Sequence, residues 1–137
     1  MRFMMLMIPN TDPQEWDGGP EVEAVAAMSE FNEALTQAGA LKAADGFHPP
    51  EAGARVSRSG GETTVGEAPM TPGHTVGGYW IIDVASREEA IEWATRCPLN
   101  EGDVIEVRRV YELSDFPEDV QAAAQLSEIP PEQTSSS

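Results

Sequence analysis

Positive charge is scarce in this 137-residue chain: 8 Lys and Arg stand against 24 Asp and Glu, a formal charge of −16. General nucleic-acid binding needs a basic patch that displaces counterions from phosphates, and these few cations do not build one. An anionic membrane surface is disfavoured for the same reason. Cysteine is nearly absent as well. The single Cys97 excludes an internal disulfide and a zinc site built on several cysteines, and a reducing, cytoplasmic location is the expectation. Long apolar runs are missing too: Phe3–Ile8, closed by Pro9, is too short for a membrane span and has no signal-peptide cleavage pattern. Chain length fits one domain, and 40% apolar residues suffice for a packed core.

The acidity is segregated. Phe3–Leu41 has seven acids and no Lys or Arg, Val110–Ser137 has six more acids without a cation, and 42–109 is nearly balanced at −4. Solvated helix faces and a solubilising tail explain most of the excess, with a docking site for a basic partner as the alternative.

Phe3–Ile8 predicts a central strand buried on both faces. A helix follows over Glu21–Ala38, where Val25, Met28, Phe31, Leu35 and Ala38 recur at three- and four-residue steps and Gly39 is the stop. Ala40–Gly53 carries Asp45-Gly46-Phe47-His48-Pro49-Pro50 and is expected to be loop. Arg55–Arg58 and Glu62–Val65 flank Gly60-Gly61 as a hairpin. Gly66–Gly78 is a second irregular loop. Tyr79–Val84 is the strongest strand, and Ser86-Arg87-Glu88-Glu89 is a capping box opening a helix that carries Ala90, Ile91, Trp93, Ala94 and Cys97 and stops before Pro98. Val104–Tyr111 is the last strand. A short helix is expected over Asp119–Leu126, with a disordered tail after it.

Strand, helix, hairpin, strand, helix, strand is the order of an α+β fold with two helices on one face of an antiparallel, ferredoxin-like sheet. Alternation places Trp80, Ile82 and Val84 with Ile105 and Val107 against the helices. Tyr79, Ile81, Asp83, Glu106 and Arg108 then occupy the other face. Its mixed character suits a partly filled cavity or a subunit interface, and two such sheets face to face would enclose a barrel.

Asp45–Pro50, Gly53-Ala54-Arg55-Val56, Ser59-Gly60-Gly61, Gly77–Ile82 and the helix Ser86–Pro98, with its Glu-Ala-Ile-Glu-Trp core and Arg-Cys-Pro end, resemble the YCII-related proteins, specifically the DGPF branch. The likeness covers about residues 1–113, leaving 114–137 as an acidic C-terminal extension. It implies a homodimer closing into a dimeric α+β barrel, with a cofactor-independent acid–base site near the dimer interface. This chain departs from the branch where Asp-Gly-Pro-Phe is expected: it reads Glu67-Ala68-Pro69-Met70, followed by Thr71-Pro72-Gly73-His74-Thr75-Val76 in place of a charged stretch. Ile8 stands where a Lys is common. These changes remove charge and introduce a histidine.

His48 and His74 are the acid–base candidates, because imidazole exchanges protons near neutral pH; the alternative for His48 is a loop residue bonded to backbone or solvent. Glu67, at the motif carboxylate position, would orient an imidazole. Tyr79 and Arg55 would hold polar substrate groups. Asp83 is a further carboxylate on the open face, with an ion pair to Arg55 or Arg108 as its structural alternative. Met70 would belong to an adaptable apolar wall, whereas Met5 and Met7 suit the core. Neither a metal-ligand spacing nor a phosphate-binding glycine loop is present. The expected function is a cofactor-free isomerase, cyclase or lyase acting on a small apolar or aromatic molecule, with specialised metabolite biosynthesis as the suggested context. The alternative is a non-catalytic ligand-binding or regulatory dimer.

Overall fold

In the computed structural model, residues 1–10, 21–66 and 74–124 are described. A four-stranded antiparallel sheet runs in the order β2 (Leu41–Gly46), β5 (Gly78–Asp83), β1 (Arg2–Ile8), β6 (Val104–Arg109). Helices α1 (Val22–Gln37) and α2 (Arg87–Arg96) cover one of its faces, and a short α3 (Glu118–Ala124) follows the sheet. This is an α+β, ferredoxin-like arrangement.

Cross-strand register decides which side chains meet. Phe3 lies opposite Ile82 and Met5 opposite Trp80, while Met5 and Met7 face Val107 and Ile105 on the other side. These residues form the core with Phe31 and Leu35 of α1 and with Ala90 and Trp93 of α2. Phe31 is the hub: its ring sits edge-on to Trp80 at 5.7 Å and to Trp93 at 6.4 Å, geometries that the aromatic quadrupoles favour. The buried Trp80 indole donates to Asn32 Oδ1 at 2.7 Å, so the core carries no unmet indole N–H there.

Helix ends follow local chemistry. Gly39, at φ 71°, takes the left-handed position after α1. From there Gly39 N–H donates to the Thr36 carbonyl and Ala40 N–H to that of Leu35, a Schellman close. Ser86 Oγ accepts from the Glu89 amide at 3.1 Å. Glu89 reaches back one residue further than a standard box, to the amide of Ala85 at 2.9 Å.

Three expectations need correction. Leu41–Gly46 is a strand, although Ala40–Gly53 was expected to be loop. Its Leu-Lys-Ala-Ala sequence has weak intrinsic β preference, and a register shift between Leu41 and Ala43 breaks the alternation that would reveal it. The strand exists because β5 supplies an unpaired edge. Second, the hairpin of β3 (Arg55–Ser59) and β4 (Glu62–Gly66) is not part of the main sheet but a separate two-stranded ribbon. Its Ser59-Gly60-Gly61-Glu62 turn has both glycines at positive φ, as a type I′ turn requires. Val56 and Val65, paired across it, remain 64% and 72% exposed. Third, the core stripe of α1 is shorter than its periodicity suggests: Val25 and Ala38 are exposed, and burial starts at Met28.

The open sheet face carries Met4, Leu6 and Ile8 from β1 and Ile81 from β5, all half-buried. Alternation placed Ile81 here, whereas β1 was expected to be buried on both faces and is fully buried only on the helix side, at Phe3 and Met5. At the far edge Arg108 pairs with Glu106 at 3.5 Å. Arg2, at the start of β1, is buried and held in a fork by Glu112, Nε to Oε1 at 2.6 Å and Nη2 to Oε2 at 3.0 Å. That hydrogen bonding raises the pKa of the guanidinium and ties the segment beyond β6 to the first strand.

Candidate functional site

The site begins with a register. β2 and β5 run antiparallel with Asp45 opposite Tyr79 and Gly46 opposite Gly78, and the pairing extends one step further as Phe47 N–H donates to the Gly77 carbonyl at 2.8 Å. Continuing it sets His48 beside Val76, two residues from His74. The loop leaving β2 and the loop entering β5 are thereby held side by side. Pro49 leads into a 3-10 turn over Pro50–Ala52, which turns the chain back so that Arg55 starts β3 on the same rim.

The result is an open cavity of about 470 Å³ lined by the segments 47–50, 52–55 and 74–76. His48, His74 and Arg55 all line it, as do the apolar side chains of Phe47, Pro49, Pro50 and Val76. Both histidines are solvent-exposed, as proton exchange with water requires.

The other expected residues are placed differently. Tyr79 lines a neighbouring, smaller cavity of about 210 Å³ with Asp45, Met7, Met28 and Trp80. Its ring meets Phe47, a lining residue of the larger cavity, at 5.7 Å between centroids. The Tyr79 hydroxyl donates to Asp45 Oδ2 at 2.7 Å, and this bond raises the phenol pKa, with desolvation adding to it. Asp83 sits at the opposite end of β5. Neither Arg55 nor Arg108 is its partner; its Oδ1 accepts from the Met1 ammonium at 3.1 Å. Glu67 and Met70 lie outside the described residues.

Asp45 is the residue that sequence reasoning passed over. It belongs to the Asp45–Pro50 stretch, yet with that stretch taken as loop nothing aligned it with Tyr79. Extending the strand to Gly46 is enough to set the two opposite each other. Cys97 is buried at the C-terminal end of α2, and desolvation, aided by Asp103, pushes its thiol up to about 12. Among the described residues no group of three or more His, Cys, Asp or Glu is arranged to hold a metal ion.

A four-stranded antiparallel sheet with helices on one face, a second face of mixed character and a histidine-bearing pocket at the β2–β5 rim defines a small α+β domain. The profile of the YCII-related domain matches residues 1–114, and the chain belongs to that family. A search among curated proteins finds no match. No helix among the described residues is long and apolar enough to cross a membrane.

Proposed function

We propose that the cavity between the two loops is an acid–base site for a small organic molecule, serving an isomerase, cyclase or lyase type of reaction without a cofactor. The observation that carries this reading is the convergence of His48 and His74, 26 positions apart in sequence, on one cavity. Two imidazoles near neutral pH supply the two halves of a proton relay. The neutral ring takes a proton from a C–H or O–H acid, and the protonated ring returns one elsewhere on the substrate. The apolar wall of Phe47, Pro49 and Pro50 would exclude water from the reacting face, and Arg55 would stabilise negative charge that develops as the proton leaves.

Pairing of two copies through the open sheet face belongs to the same proposal. Met4, Leu6, Ile8 and Ile81 present an apolar strip that no helix of the described chain covers, and a second sheet would bury it. The dimer would be closed and isologous.

The catalytic reading is tested by incubating the protein in D2O with a panel of small carbonyl compounds and following carbon-bound deuterium by NMR. Exchange or conversion should fall by about 10²–10⁴-fold in His48→Gln or His74→Gln. Turnover of an identified substrate that is unchanged in both variants would remove the mechanism.

A further inference from the structure

Cations in this chain are few and mostly engaged. Arg2 is bound by Glu112, Arg108 by Glu106 and Arg109 by Asp115. Arg87 lies 3.9 Å from Glu88, and Arg96 lies over the Trp93 ring at 4.2 Å. Lys42, Arg55 and Arg58 have no carboxylate partner among the described residues, in a chain where acids outnumber bases three to one, and of these three Arg55 is the one that lines the cavity described above. It faces the cavity of His48 and His74, and no Asp or Glu is among the described residues lining that cavity. Glu51, in the turn between His48 and Arg55, does not line it.

We propose that this cavity binds its ligand through a carboxylate held on the Arg55 guanidinium, with the ligand's apolar or aromatic body against Phe47, Pro49, Pro50 and Val76. As a statement about the substrate it rests on the acid–base reading of the same pocket. A guanidinium offers parallel N–H donors in a fork that matches a carboxylate, and such charge-assisted pairs are stronger than neutral hydrogen bonds. The chain's overall −16 repels anions at long range, so an anionic ligand is held only where the local field is reversed. An arginine that lines one cavity with two histidines, with no acid among the described lining residues, is such a place.

The test uses the full chain, benzoate, and benzamide as its neutral counterpart, with NMR detection of the histidine ring resonances. Benzoate is expected to shift both His48 and His74 saturably, to bind at least tenfold more tightly than benzamide, and to weaken as salt rises. Arg55→Gln should abolish the preference for benzoate, and Arg55→Lys should restore part of it. Equal binding of benzoate and benzamide, an unchanged benzoate affinity in Arg55→Gln, no response of either histidine, or tighter binding of inorganic phosphate than of benzoate would each overturn the proposal. Binding is read here without turnover, so the two readings separate. Benzoate held by Arg55 in a protein whose turnover ignores both histidines keeps the carboxylate site and removes the proton relay. Histidine-dependent turnover with no benzoate preference does the reverse.

Discussion

Asp45 and Tyr79 illustrate how much one hydrogen bond changes a residue's chemistry. Accepting from the phenol, the Asp45 carboxylate stabilises the protonated form of Tyr79 and raises its pKa, so Tyr79 stays a donor into the alkaline range. In Asp45→Asn the carboxylate charge is gone, and the ionisation of Tyr79, followed by phenolate absorbance, should move down toward the ordinary tyrosine value. An unchanged midpoint would mean that the bond does not persist in solution. For Cys97 the consequence is one of stability. With the folded thiol pushed up to about 12 from its ordinary 9.0, both folded and unfolded chains keep the proton at neutral pH. As pH rises above 9 the unfolded chain loses it first, so stability should decline through the interval up to about 12. Urea midpoints of the native protein should fall more steeply with pH there than those of Cys97→Ala. Parallel slopes would show that burial of this thiol has no such effect.

Elements differ in where their stability originates. α2 is specified locally: Ser86 caps it, Glu88 and Glu89 occupy its first turn, and Arg96 its last, an order that suits the helix dipole. Ser86→Ala removes the acceptor for the Glu89 amide and should cost about 1 kcal/mol in urea unfolding, with Ser86→Thr recovering most of it. A cost near zero would mean that water replaces the cap. α1 has no side-chain cap at Glu21 and depends on Phe31 and Leu35 in the core. β2 depends on its neighbour more fully still, since Lys42-Ala43-Ala44 has little β preference and is held by the β5 backbone. The proposed site depends on it too, because the β2–β5 register brings the His48 and His74 loops to one cavity.

For the whole molecule the open face has the largest consequence. Ile81 lies at its centre, paired with Met4 on one side and Ala43 on the other. If two copies pair there, light scattering should give twice the chain mass for the native protein and a single chain mass for Ile81→Glu, whose charge cannot be buried in an apolar contact without a partner. A native protein of single-chain mass would remove the pairing. Much of this architecture was legible beforehand. α1, β5, α2 and β6 each carry a period of their own, β1 is legible as a continuous apolar run, and alternation alone sorted Trp80 and Ile82 from Tyr79 and Ile81. The strand at Leu41–Gly46, the separation of the hairpin from the sheet, and the Met1 partner of Asp83 were not legible. Each depends on a contact between segments distant in the chain and leaves no local trace. By itself the sequence determined the charge, the helices, the two faces of the sheet and the identity of the histidines, because these follow from composition and short-range periodicity. Only the tertiary structure decided that His48, His74 and Arg55 share a cavity and that Asp45 meets Tyr79. Those neighbours are created by strand register, which is a property of two segments together and of neither alone.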